Sequence, residues 1–576
     1  MKTRTGARIA TTVAVSRPAR YQTMKFRLVT GRLSPSAGDG WWASLAMAVS
    51  TPYRYSTTSR NLPQPATRLG SARGALAGTG RRACGVALPG LQEVPADGSP
   101  PSRDAAGVGT RTLRNTVLVL GARVVSRALA LGSYLVLIRY LQPAGLGTFQ
   151  DVVNQAGLVT VFLDVGFNTL FQREAARRPA LLSHYLSRLV TGRLGFALLA
   201  LVVFAGVLAW RGQLSFLFPA YLLMVLTSYA NLLRGALYAV QRLRFEAVAI
   251  VVESAILIGL VAYGAVTGRG VEYFLYAYAA SYGFSCLYFA VVLTVRRIAR
   301  IRPAADPVFI VNWLLKSLPF AATFAITTIY FKIDVPILAI LRGHHEAGLY
   351  VAAYKPFEAL LFVPVTMLNV VFPVLAVYHR GAEGRLVWAV NRFYKALLLL
   401  GAPISVGTFM LADPLQVVYT YPESAAALRI LALGIVLLFV CNAFVGALNA
   451  IDRQLTFTWA ALISMVANIG LNVALIPSFG YLGASWATVL TEVVLFAAGW
   501  FLTARHLTRV PLLSLSWRIL LASLVMGAAL YPLRHVHGAM IGGAILVGVV
   551  VYGLALLLVG AADADEMRLL RRAVRM

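Results

Sequence analysis

From Leu113 towards the C-terminus the chain is a succession of continuous apolar runs of about 20 residues, each long enough to cross a hydrocarbon core of about 30 Å as an α-helix. Continuous runs predict helices, because the strands of a transmembrane barrel would alternate lipid-facing and lumen-facing residues. We count about fourteen. The seventh covers 307–339 and the eighth 348–377, the latter with Pro356, Pro364 and Pro373 placed to kink it. The predicted fold is all-α, a polytopic membrane protein.

Turns between the runs orient and divide the chain. Taken on alternate turns, Lys and Arg number roughly eighteen on one side against about seven on the other, which by the positive-inside rule puts both termini in the cytoplasm. The basic turn over 296–303 separates an N-lobe (113–302) from a C-lobe (303–508), each of six helices, and two extra helices with a charged end follow over 509–576. The lobes repeat one another. Gly235-Ala236-Leu237-x-Ala239-x-x-Arg242 ends the fourth run as Gly446-Ala447-Leu448-x-Ala450-x-x-Arg453 ends the tenth, and Ala144-Gly145-Leu146 precedes the second as Ala347-Gly348-Leu349 precedes the eighth. An offset of six helices keeps both copies in one orientation, so the repeats are parallel and a site is expected between them near mid-bilayer.

Composition agrees: 59% hydrophobic, 13% charged and a mean hydropathy of +0.73 exceed what a water-soluble chain of 576 residues can bury. The net charge of +30 would suggest nucleic acid, but much of it falls in residues 1–112, where Arg and Lys recur among Gly, Pro, Ser and Thr without period. That leader is expected to be a disordered arm or sequence upstream of the true start, and its Arg-rich, acid-poor make-up also resembles an organellar transit peptide. No nucleic-acid partner is expected. Cys84, Cys286 and Cys441 have no CxxC or His spacing, so neither a disulfide, a metal site nor a cofactor is expected.

Chemistry is expected where charge lies inside apolar runs, since an ionised side chain at bilayer depth costs roughly 2.5–3.5 kcal/mol on insertion scales and faces a hydrated cavity or a partner. Arg123 and Arg127, i and i+4 on one face of the first run, Lys316 in the seventh and Lys355 in the eighth are candidate ligands for a diphosphate, Arg especially for its planar fork. The plainer readings are that the first three snorkel and that Lys355 pairs with Glu358. Asp164, Glu253, Asp334, Glu358 and Glu492 are the candidate ion-coupling carboxylates, able to exchange a proton during transport. Glu253 and Glu492 sit deepest by position, whereas Asp334 is near the end of its run and close enough to pair with Lys332.

Four stretches in order resemble the bacterial polysaccharide transporter family: Leu141-x-Pro143-x-Gly145-x-Gly147-x-Phe149; Asp164-x-Gly166; Ile333-Asp334 followed by Ala347-Gly348-Leu349-Tyr350; and Asn468-x-x-Leu471-Asn472 running on to Thr488. These are the O-antigen and exopolysaccharide flippases of the multidrug/oligosaccharidyl-lipid/polysaccharide exporter superfamily. The resemblance implies two six-helix lobes, often with two further helices, that move a polyprenyl-pyrophosphate-linked oligosaccharide across the bacterial inner membrane by alternating access, alongside a polysaccharide polymerase and glycosyltransferases. The alternatives are a lipid II flippase or a drug or cation antiporter of the same superfamily. A membrane glycosyltransferase or polymerase would need larger extracytoplasmic loops than the short turns here. No Gly-x-x-x-x-Gly-Lys-[Ser/Thr] loop occurs, which excludes an ATP-driven pump of that type. The expectation is a transporter rather than an enzyme, with a lipid-linked saccharide and membrane lipids as partners.

Overall fold

The computed structural model of the protein describes residues 103–381, 383–419, 421–538 and 540–560. Of the basic leader expected over 1–112, the part up to residue 102 lies outside the described residues, as does the charged end beyond residue 560, while residues 103–112 are helical at the start of the first long helix rather than disordered. Among the described residues every regular element is a helix, and twelve helices are long and apolar enough to cross a membrane. The N-lobe comprises α1 (Arg103–Asp164), α2 (Phe167–Arg177), α3 (Leu182–Trp210), α4 (Leu217–Ala239), α5 (Leu243–Val266) and α6 (Val271–Val295). The C-lobe comprises α7 (Pro307–Lys332), α8 (Asp334–Arg342), α9 (His344–Leu360), α10 (Phe362–Gly381), α11 (Glu383–Met410), α12 (Ala412–Tyr419), α13 (Ser424–Ala450) and α14 (Gln454–His506). Two more, α15 (Leu512–Leu530) and α16 (Met540–Leu558), follow and lie against α11.

Two of the long helices double back. Gln142 precedes Pro143, whose ring drives the residue before it out of the α region, and α1 breaks there (φ 59°, ψ 168°). Tyr134 Oη reaches Gln150 Oε1 at 3.0 Å, whereas a straight helix would separate these residues by about 24 Å. In α14 the break is Gly480 (φ 57°, ψ −136°), a conformation that costs glycine little. Beyond it Gly483 lies so close to the Leu475 carbonyl that a Cβ would overlap it.

Packing falls mainly within each lobe, with α13 enclosed among α9, α10, α11 and α14, and α1 meeting α7, α8 and α9 across the divide. The repeat shows in the backbone: α4 and α13 each turn through a left-handed residue six positions after the glycine of Gly-Ala-Leu, at Gln241 (φ 56°) and Asp452 (φ 59°). Near Pro143 the register differs from the sequence match. A Cβ on Gly147 would strike the His344 carbonyl, and one on Gly348 would strike the Pro143 carbonyl. The contact is reciprocal, so the counterpart of Gly348 is Gly147 and not Gly145. This crossing closes one end of the bundle, called here the Pro143 end.

At the opposite end the inter-lobe turn is sewn onto α3. Ser183, Ser187 and Thr191 are spaced i, i+4, i+8 on one helix face, and their hydroxyls accept the N–H groups of Arg300 (3.0 Å), Arg302 (3.1 Å) and Ala304 (3.0 Å). Arg188 Nε then donates to Asp306 Oδ2 (2.8 Å), and Asp306 Oδ1 caps α7 by accepting from Phe309 N (2.9 Å). Both interactions hold the Asp306 carboxyl below the usual Asp range, the Arg188 hydrogen bond foremost. As a result the first half of α7, with Trp313 and Phe320, is buried in the N-lobe cluster around Tyr185 and Phe171. Its second half faces the C-lobe, where Tyr330 reaches Glu492. The boundary expected at 302/303 is thus one of sequence, not of packing.

Both runs around the lobe junction are interrupted. The one expected over 307–339 breaks at Ile333, between α7 and α8, and the one over 348–377 breaks at Leu361, between Pro356 and Pro364.

Candidate functional site

Where α1, α7, α8 and α9 meet, a cavity lies between the lobes. Gln150 and Asn154 line it from α1, Lys332 and Asp334 from the α7–α8 break, and Tyr350, Tyr354, Lys355 and Glu358 from α9. Its free volume is about 50 Å³, room for a few waters and too little for a saccharide.

The cavity gathers charge. Lys355 Nζ lies 2.8 Å from Glu358 Oε2 and 4.9 Å from the centre of the Tyr134 ring. Lys332 and Arg127 also bear electrostatically on Glu358. Two lysines, Lys332 and Lys355, and two carboxylates, Asp334 and Glu358, thus line the cavity, with Arg127 of α1 within electrostatic reach of Glu358. Gly157 makes room for Lys332, since a Cβ there would press on its methylenes.

The predicted arginine pair divides. Arg127 is exposed on α1 within electrostatic reach of Glu358, but Arg123 Nη2 turns to Glu246 of α5 (3.2 Å), which also accepts from Tyr238. Lys316 is exposed on α7, sixteen residues before Lys332 and so about 24 Å away along the helix, outside the cavity. The structural pairing expected for Lys355 and Glu358 is present, inside the cavity rather than instead of it.

The carboxylates separate into three groups. Asp164 is bound by the fully buried Arg193 (2.7 Å) and Asn168 within the N-lobe. Glu253 is bound by Arg234 (3.3 Å) and Ser285, also within the N-lobe and away from the cavity. Asp334 has not the expected partner Lys332. It accepts from Asn472 Nδ2 (2.9 Å), Tyr350 Oη (3.1 Å) and Thr488 Oγ1 (3.3 Å), and the Oδ1 atoms of Asn468 and Asn472 beside it have no hydrogen-bond partner. Glu492, one helical turn from Thr488, accepts from Tyr330 Oη at 3.0 Å.

Sequence reasoning passed over Gln150, Asn154 and Asp151, and gave Glu246 no role. The signal was present: Gln150-Asp151-x-x-Asn154-Gln155 is a polar stripe in an apolar helix, and polar residues in a span face protein or water.

Two helical lobes related by a parallel repeat, with a charged cavity between them inside a multi-pass membrane protein, have the build of a two-lobed carrier. The family profile "Polysaccharide biosynthesis protein" matches residues 112–379 and the profile "Lipid II flippase MurJ" matches 357–551. The chain belongs to the multidrug/oligosaccharidyl-lipid/polysaccharide exporter superfamily. It is 25% identical over 218 residues to the probable low-salt glycan biosynthesis flippase Agl15 of Haloferax volcanii (36% of this chain, 45% of that protein). It is 27% identical over 334 residues to the probable lipid II flippase MurJ of Rhizobium meliloti (53% of this chain, 60% of that protein). The chain thus spans about half the length of these curated relatives. Among solved structures, the lipid II flippase MurJ in an inward closed conformation superposes with a TM-score of 0.63 at 14% identity, covering 76% of this chain and 98% of that one, a likeness of fold.

Proposed function

We propose that the protein is a flippase for a polyprenyl-diphosphate-linked oligosaccharide used in surface polysaccharide biosynthesis, working by alternating access in the bacterial inner membrane. The observation that carries this is the gathering of Lys332 and Lys355, with Arg127 in electrostatic reach, around Glu358 in a between-lobe cavity. Three cations at bilayer depth are costly unless an anion repays them, and a diphosphate head is the anion a lipid carrier brings. Charge-assisted hydrogen bonds to such a head are worth about 1.5–3 kcal/mol each. When the head enters, Lys355 exchanges Glu358 for phosphate oxygen, and the saccharide occupies space opened by parting of the lobes.

Counting each hairpin of α1 and α14 as two crossings gives fourteen spans, with both termini cytoplasmic and the Pro143 end facing outward. Lys316, on the half of α7 nearer the cytoplasm, is then the first cation a head group meets. Of the carboxylates, Asp334 is our choice for coupling: Asp164 and Glu253 are each held by a buried arginine, whereas Asp334 faces neutral hydroxyls and amides and can change its protonation without stranding a cation. Glu492 is the second choice.

A lipid II flippase is the second reading, favoured by the profile match over 357–551. Complementation decides between them. The full chain is expected to restore surface polysaccharide in a strain lacking its O-antigen flippase, and Lys355→Met to abolish this at unchanged membrane abundance. Rescue confined to a strain depleted of its lipid II flippase would select the second reading, and rescue of neither strain would sink both.

A further inference from the structure

Pro336 has no N–H, so the carbonyl four residues before it, that of Lys332, has no helical partner. The other lobe supplies one: Asn154 Nδ2 donates to Lys332 O at 3.2 Å. Asn154 is itself fixed, its Oδ1 accepting from Gln150 Nε2 (2.7 Å), whose Oε1 accepts from Tyr134 Oη (3.0 Å). A second grip lies further along α8. Arg211 donates to the Pro336 carbonyl (3.4 Å) and to Asp151 Oδ2 (2.7 Å), and Asp151 Oδ2 also meets His344 Nε2 at 3.2 Å. Asp151 and Asn154, three residues apart on α1, therefore hold α8 at both its ends. The C-lobe holds the same helix through Asp334, by Asn472 and Thr488 of α14 and Tyr350 of α9.

We propose that Asn154 is a positioning residue for transport: by holding the Lys332 carbonyl it ties the Asp334 segment to the N-lobe, so that a change of charge at Asp334 alters closure of the lobes at the Pro143 end. This rests on the flippase reading and on Asp334 as the coupling carboxylate. The geometry gives the sense of the linkage. With Asp334 ionised, Asn472 and Thr488 fix α8 in the one place where Asn154 reaches Lys332 O. Loss of that charge weakens the C-lobe's hold, the turn at Ile333 relaxes, and the inter-lobe hydrogen bond goes with it. A residue that merely capped a stray carbonyl would stabilise the fold without making closure depend on Asp334.

The test uses the full chain in lipid nanodiscs, with Cys84, Cys286 and Cys441 replaced by serine and spin labels at Gly270 and Pro422. Both sites flank the Pro143 end: Tyr140 bonds the Arg269 carbonyl and Tyr421 the Ile138 carbonyl. Double electron–electron resonance reads the open-to-closed ratio, and Asp334→Asn serves as a fixed neutral mimic. Asp334→Asn is expected to raise that ratio, and in an Asn154→Leu background its effect should shrink about fivefold, the factor for one net hydrogen bond. Pro336→Ala restores a main-chain N–H for Lys332 O; added to Asn154→Leu it should recover the melting temperature but not the response to Asp334→Asn. A full response in Asn154→Leu, or recovery of the response by Pro336→Ala, would overturn the proposal. A chain that complements a flippase-deficient strain while its distances ignore Asp334→Asn refutes this inference alone, and a chain that responds but complements no such strain refutes the flippase reading alone.

Discussion

Arg123 and Arg127 share a helix face yet answer to different carboxylates, and their substitutions should differ accordingly. Arg127→Lys keeps the charge but loses the fork that brackets a diphosphate, so polysaccharide export is expected to fall about tenfold. Arg123→Lys retains a cation for Glu246 and should export normally. Arg123→Ala strands that fully buried carboxylate and should lower the melting temperature of the purified protein, a broken buried pair costing about 3–5 kcal/mol. Equal loss of export in both Lys variants, at equal surface abundance, would contradict this division. The sequence showed which side chains were out of place in lipid, because charge in an apolar run is visible in one dimension. It could not show partners: Glu246 lies 123 positions from Arg123, and Lys332 was paired by proximity with the wrong carboxylate because the break at Ile333 turns Asp334 towards α14.

Helices were the most legible level, since run length follows from bilayer thickness. Of the prolines expected to cause kinks, Pro356 and Pro364 flank the break at Leu361, whereas Pro373 lies within α10, and the breaks at Gln142, Ile333 and Gly480 were not foreseen as kinks. Register was less legible. Ala-Gly-Leu in α9 matches Ala-Gly-Leu in α1 by identity, while the reciprocal crossing obeys where the main chains touch, and Gly147 has no tripeptide to mark it. That crossing yields a prediction: Gly147→Ala or Gly348→Ala places a methyl group against a carbonyl that cannot yield, so the Pro143 end should close poorly. A cysteine at Val351, buried in the cavity wall, should then react with a membrane-impermeant thiol reagent from outside at least several-fold faster than in the parent chain. Unchanged reactivity in both variants would mean that the lobes close elsewhere.

For the whole molecule, the proposed fourteen crossings with cytoplasmic ends make a definite map: single cysteines at Gly270, Arg342 and Arg534 should label from outside, and those at Arg300, Arg385 and Arg509 only after the membrane is permeabilised. One reproducible inversion breaks it. The two lobes were legible as a repeat, but their junction was not, because hydroxyls at Ser183, Ser187 and Thr191 look like ordinary small polar residues until the backbone they hold is seen. That stitched junction has a mechanical consequence. A slack connection would let the lobes swivel freely about it, but here the connection turns with the N-lobe as a rigid part of it, and α7 leaves it already clamped by Arg188 and Asp306. Since the far half of α7 is gripped by α14, any rocking of one lobe against the other is taken up as torsion within a single rod. The rod is weakest where Pro319 deletes a hydrogen bond and where the helix lapses at Ile333; the second of these yield points lies one residue from the carboxylate proposed to set the cycle's direction.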